Sequence, residues 1–97
     1  IIMDPPSYGR GPGGEIWKIE DAVYPLICLC EKLLSDNPLF FLINSYTTGL
    51  APAVLTYMLS LAVKSRHGGT VEASEIGLPV TQSGLVLPCG ASGRWSV

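Results

Sequence analysis

The chain has 97 residues, and its 6 Lys+Arg against 8 Asp+Glu give a formal charge of −2, too little positive charge to hold nucleic acid by charge alone. Hydrophobic residues make up 47% and charged residues 14%, against about 25% charged in ordinary globular domains, which excludes general disorder. So few charges make a thin polar skin for a domain of this size, so the chain is expected to pack against further protein.

Residues 1–3 read as the end of a buried strand, since the apolar run stops at Asp4-Pro5-Pro6, where two prolines withdraw two backbone donors. Opening on Ile1-Ile2 suggests a cut through that strand. Residues 5–14 hold seven Gly or Pro in ten, too many for helix or regular strand, and are predicted as loop. A helical turn is allowed over 15–22, and Pro25 suits the first turn of a helix reaching about Leu34, with Asp21 near its start. Leu26, Ile27, Leu29, Cys30, Leu33 and Leu34 would form its apolar face.

Ser35-Asp36-Asn37-Pro38 stops the helix, and Leu39-Phe40-Phe41-Leu42-Ile43 predicts a central strand covered on both faces. Residues 44–50 read as polar loop. Pro52 then opens a second helix, with Val54, Leu55, Met58, Leu59 and Ala62 on its buried stripe and Lys64, Arg66 and His67 in its last turn, ended by Gly68-Gly69. Residues 70–78 and 84–87 are two further strands joined by a link short enough for a hairpin. The order strand, helix, strand, helix, strand, strand predicts a single α/β unit over residues 1–97. Its sheet is parallel except for an antiparallel last strand, and one side is short of cover.

Cys28, Cys30 and Cys89 lack the paired spacings of a zinc site or a disulfide scaffold, so no metal is expected and the reducing cytoplasm is the expected location. Cys28 and Cys30 read as small core residues. No apolar run reaches the roughly 18 residues of a membrane span. Gly9-Arg10-Gly11-Pro12-Gly13 spells G-x-G-x-G after a strand, but Pro12 and the distance to the next helix argue against a nucleotide loop.

Ligands of open α/β sheets bind beyond the carboxyl ends of the strands, where Asp4-Pro5-Pro6-Ser7-Tyr8 lies. A carboxylate, a backbone fixed by prolines and a flat aromatic face suit the holding of a planar base or amine at a reactive centre. The string Asp4-Pro5-Pro6-Ser7-Tyr8-Gly9-Arg10-Gly11-Pro12, with Gly14-Glu15-Ile16-Trp17-Lys18 after it, resembles the acidic-Pro-Pro-aromatic motif of class I S-adenosylmethionine-dependent methyltransferases. More narrowly, it resembles the branch that includes the ribosomal RNA large-subunit methyltransferases.

The resemblance implies the carboxyl-terminal part of a Rossmann-like methyltransferase sheet. The glycine loop and strand-ending acid that hold S-adenosylmethionine would precede Ile1, in a missing amino-terminal half, so this piece alone should bind the cofactor poorly and be inactive. The implied activity of the whole is methylation of RNA, ribosomal RNA above all. Asp4, Pro5 and Pro6 would be catalytic, with Asp4 also beside the cofactor, and Ser7, Tyr8, Arg10, Asn44, Ser45 and Tyr46 would bind substrate. The residues themselves leave alternatives open: Asp4 capping the next backbone turn, Tyr8 packing its loop, Trp17 and Lys18 pinning that loop to the fold. Some relatives make 5-methylcytosine through a Cys after the strand matching 39–43. Here Asn44-Ser45-Tyr46-Thr47-Thr48 has no thiol, which argues for direct, non-covalent transfer. Cys89 lies in a distinctive stretch that could return toward the active-site end. A non-catalytic interaction module and a small-molecule methyltransferase are the competing readings, the latter favoured by the net negative charge.

Overall fold

The computed structural model describes residues 1–47 and 49–97. Its elements are β1 (Ile2–Met3), β2 (Tyr8–Arg10), β3 (Ile16–Lys18), α1 (Ile19–Glu31), β4 (Phe40–Ser45), α2 (Pro52–Leu59), β5 (Thr70–Pro79) and β6 (Val86–Ser96). Helix α2 runs on through wider π turns over Ser60–Lys64 into a last α turn, Ser65–His67. The main sheet has the order β1-β4-β6-β5. Strand β1 is parallel to β4 with Ile2 beside Leu42, and β6 is antiparallel to both of its neighbours. The fold is thus the mixed α/β sheet predicted, with the last strand antiparallel.

One face of this sheet is covered. Phe41 and Ile43 of β4, Ala91 and Trp95 of β6, Ile19, Val23 and Ile27 of α1, and Leu55, Leu59 and Val63 of the second helical segment share one buried cluster. Burying each large aliphatic or aromatic side chain there contributes roughly 1.5–3 kcal/mol. The other face is open: Ile2 is 68% exposed, and Phe40 and Leu42 stand beside Arg94 on it. The strand predicted to be covered on both faces is therefore buried on one face only, because the two helices pack on the same side of the sheet; the open side matches the predicted shortage of cover.

Several predicted boundaries shift. Residues 5–14 are not all loop, because Tyr8–Arg10 pairs antiparallel with Ile16–Lys18, placing Gly9 opposite Trp17. Helix α1 then starts at Ile19 and ends at Glu31, putting Pro25 inside it. Pro25 is exposed and has no amide to give the Asp21 carbonyl, which lies on the exposed side of the helix. The buried stripe is Ile19, Val23, Ile27 and Glu31, four residues apart, whereas Leu29 and Leu33 are 59% and 75% exposed. On the second helix Val54 turns outward and Leu55, Met58, Leu59, Ala62 and Val63 turn in.

The largest correction concerns the end of the chain. The strand predicted over 84–87 is the eleven-residue β6, and the stretch holding Cys89 and Trp95 is its body. Trp95 is fully buried, and its indole N–H donates to the Gly68 carbonyl at 2.7 Å. Beyond the part facing β4, strands β5 and β6 continue as a two-stranded arm with Leu78 opposite Leu87. No charged residue falls between Glu75 and Arg94, and Leu78, Leu85, Val86 and Leu87 of the arm are all exposed.

Beneath the core, Glu31 is buried with its Oε1 2.9 Å from His67 Nε2 and its Oε2 3.4 Å from Arg66. His67, read from sequence as a helix-end cation, is therefore also the partner of a buried carboxylate. No helix is long and apolar enough to cross a membrane.

Candidate active site

The parallel pair β1 and β4 directs both carboxyl ends to the same side, so Asp4, just past β1, and Tyr46, just past β4, leave the sheet at the same end. Asp4 is exposed and, among the described residues, makes neither an ion pair nor a side-chain hydrogen bond. The capping role open to it from sequence is thus not formed, and its carboxylate is free to meet a ligand.

The backbone behind Asp4 is held at three points. The Trp17 indole N–H donates to the Pro6 carbonyl at 2.6 Å, so Trp17 pins the loop. The Ser7 carbonyl accepts the amide of Ile19 at 3.1 Å, satisfying one of the free donors at the start of α1. The Ser7 hydroxyl meets the Thr47 hydroxyl at 2.5 Å, joining the acid-Pro-Pro loop to the loop after β4. Thr47 is anchored in turn by its amide, which donates to Ser45 Oγ at 3.3 Å. Pro5 and Pro6 limit the remaining backbone freedom.

The predicted substrate residues separate by position. Tyr8 is 52% and Tyr46 53% exposed, so both rings have an open face. Arg10 Nε donates to the Tyr8 hydroxyl at 3.3 Å, which steadies the phenol and sets the guanidinium beside it. Asn44 and Ser45 belong to β4 rather than to a loop. Ser45 is fully buried and holds Thr47, while Asn44 lies on the opposite face of the sheet. Thr48, in the loop predicted over 44–50, lies outside the described residues. Gly11, Gly13 and Gly14 form the hairpin turn: Gly11 N–H bonds the Glu15 carbonyl at 2.8 Å and Gly13 N–H the Glu15 carboxylate at 3.1 Å. They do not open a helix as a nucleotide loop would.

Strand β6 brings its first half to the same side of the sheet, because Ala91 pairs with Ser45. A cavity of about 470 Å³ opens there, lined by Tyr46, Thr47, Pro52, Glu75, Cys89 and Gly90 among others. Cys89 thus lies at the same end of the sheet as the loop after β4, with its thiol turned to the Leu87 carbonyl at 3.3 Å. Among the described residues, no three His, Cys, Asp or Glu side chains come together to hold a metal ion. Two contributors escaped the sequence reading. Thr47 carried no signal beyond its place after a predicted strand. Glu75 did: Val71, Ala73 and Glu75 alternate on one face of β5, so a carboxylate replaces the apolar residue expected there.

Over 98% of its length the chain superposes on a SAM-dependent methyltransferase from Agrobacterium tumefaciens with a TM-score of 0.88 and 24% sequence identity. The fold is part of a methyltransferase fold. The chain spans 32% of that enzyme, about a third of its length. No protein-family model matches the chain, and no curated protein does. The shared architecture places the acid-Pro-Pro loop after a parallel strand of a methyltransferase sheet. In that family S-adenosylmethionine is the methyl donor.

Proposed function

We propose that the intact protein is an S-adenosylmethionine-dependent methyltransferase that methylates RNA, ribosomal RNA in the first instance, in the cytoplasm. The observation that carries this reading is the free carboxylate of Asp4, presented at the carboxyl end of β1 on a loop fixed by Trp17, Ile19 and Thr47. RNA as the acceptor rests on the sequence resemblance of residues 4–18. The bound cofactor supplies an activated methyl group, and an amino-terminal half supplies the loops that hold it. Asp4 accepts a hydrogen bond from the substrate's nucleophilic group and orients it; Tyr8 and Tyr46 offer faces for a base to stack on, and Arg10 offers a charge to a phosphate. Transfer is direct, since no thiol comes after β4 in its loop.

The test uses the full-length protein with tritium-labelled S-adenosylmethionine, total RNA and a low-mass metabolite fraction as competing acceptors. Label in RNA is expected. Asp4→Ala should lower kcat/KM by about a hundredfold through lost alignment, with S-adenosylhomocysteine affinity kept within about threefold. RNA containing 5-fluorocytidine should leave no covalent adduct. Label in no fraction would sink the enzyme reading. Label in metabolites alone would favour the small-molecule reading, which the −2 net charge supports.

A further inference from the structure

We propose that the cavity beyond β4 and β6 is a recognition pocket for an amino-bearing aromatic heterocycle, with Glu75 as its specificity-determining residue. This deepens the methyltransferase reading by naming the class of the accepting group, and rests on that reading for the methyl transfer alone, not for the binding. The first support is position. Thr47 lines the cavity and also holds Ser7, so the pocket adjoins the acid-Pro-Pro loop through a shared residue.

The second support is shape. Gly49, Ala51, Gly90 and Ala91 contribute walls with almost no side chain. A Cβ on Gly90 would meet the Ser45 carbonyl oxygen, so the close approach of β6 to β4 that forms this wall requires glycine. The volume of about 470 Å³ lies within the range of roughly 300–1,000 Å³ usual for small-ligand sites. Tyr46, half exposed, supplies a flat face, and Pro52 and Pro88 supply rigid apolar walls, a set that favours a planar ring over a flexible chain.

The third support is charge. Glu75 is the one charged residue lining the cavity among the described residues, and no cation accompanies it there. The register of β5 and β6 sets it opposite Ala91, on the face that carries Val71 and Ala73. A carboxylate accepts hydrogen bonds and repels anions, so the ring it selects carries an N–H donor such as an exocyclic amino group and no phosphate at this point. A carbonyl at the same ring position would face the carboxylate oxygens unpaired, the arrangement that gives a site its largest discrimination.

The test is ligand-observed NMR titration of the full-length protein with cytidine, adenosine and uridine. Cytidine and adenosine are expected to bind at least about fivefold more tightly than uridine, a difference of one charge-assisted hydrogen bond. Glu75→Gln should bring the three within about twofold, and Tyr46→Ala should weaken all three together. Equal binding of the three, discrimination that survives Glu75→Gln, or binding of none would each overturn the proposal. S-adenosylhomocysteine affinity, read on the same samples, tests the methyltransferase reading separately: its loss with cytidine selectivity intact defeats that reading and leaves the pocket standing. Glu75 is exposed on a strand, and the thermal midpoint of each variant confirms folding.

Discussion

Ser7 and Thr47, forty residues apart in sequence, share a hydrogen bond of 2.5 Å between their hydroxyl oxygens. It fixes the distance between the two loops that stand over the carboxyl ends of β1 and β4. Thr47→Val keeps the shape and removes the bond. Because the pair is exposed, stability should fall by no more than about 1 kcal/mol, whereas misplacing the loop should lower kcat about tenfold. Steady-state kinetics on the full-length protein, with Ser7→Ala and the double variant, check this. The double variant should match the singles, since one bond is lost in each case.

Trp17 acts on the same loop from the other side. Trp17→Phe keeps a ring and loses the 2.6 Å bond to the Pro6 carbonyl, and is expected to cost about 1 kcal/mol. Hydrogen exchange should quicken at Ser7 and Tyr8 and remain unchanged in β4. Equal quickening across the sheet would show that Trp17 supports the whole fold rather than the loop.

The pair of Glu31 and His67 yields a contrast. His67→Ala leaves the Glu31 carboxylate buried with only the largely exposed Arg66 at 3.4 Å, and should cost about 2–3 kcal/mol. Glu31→Leu removes the buried charge and fills the site, and is expected to stay within about 1 kcal/mol of the parent. Urea midpoints of the two variants distinguish a needed ion pair from a merely compensated charge.

Two glycines in strands should respond oppositely. Gly90→Ala drives a Cβ into the Ser45 carbonyl at a φ of 154°, so a loss above about 2 kcal/mol is expected. Gly9→Ala meets no atom within 4 Å and should change stability by less than about 0.5 kcal/mol. Thermal melts of the two side by side check this. A tolerated Gly90→Ala would mean that β6 does not approach β4 so closely.

The alternation of strands and helices was legible because the apolar runs and the breakers between them are strong: the run ending at Asp4-Pro5-Pro6, the 39–43 run, and Gly68-Gly69 after the second helix. The hairpin of β2 and β3 was hidden by composition. Its glycines suit a loop equally well, and only the pairing of Gly9 with Trp17 makes them strand. Strand β6 was hidden for a related reason, as Pro88, Gly90, Ser92 and Gly93 have little strand propensity of their own. They form a strand because β4 and β5 supply partners on both sides, and because helix and sheet crowd them: a Cβ on Gly93 would lie 2.8 Å from that of Leu55. Tertiary contact, not local preference, chose the conformation. At the site, the resemblance found the acid-Pro-Pro loop, whereas the burial of Ser45 and the approach of Glu75 to the cavity depended on β6.

The place of β6 between β4 and β5 has a consequence for how the chain folds as it is made. Strands β4 and β5 share no hydrogen-bonded border, and the strand that joins them leaves the ribosome after both. Until Trp95 emerges, the core lacks its largest side chain and the sheet is two separate pieces. Contacts of such long sequence separation form slowly. This part of the protein should therefore stay unassembled on the ribosome until β6 is clear of it, with the apolar faces of both helices exposed in the interval and in need of a chaperone's shelter.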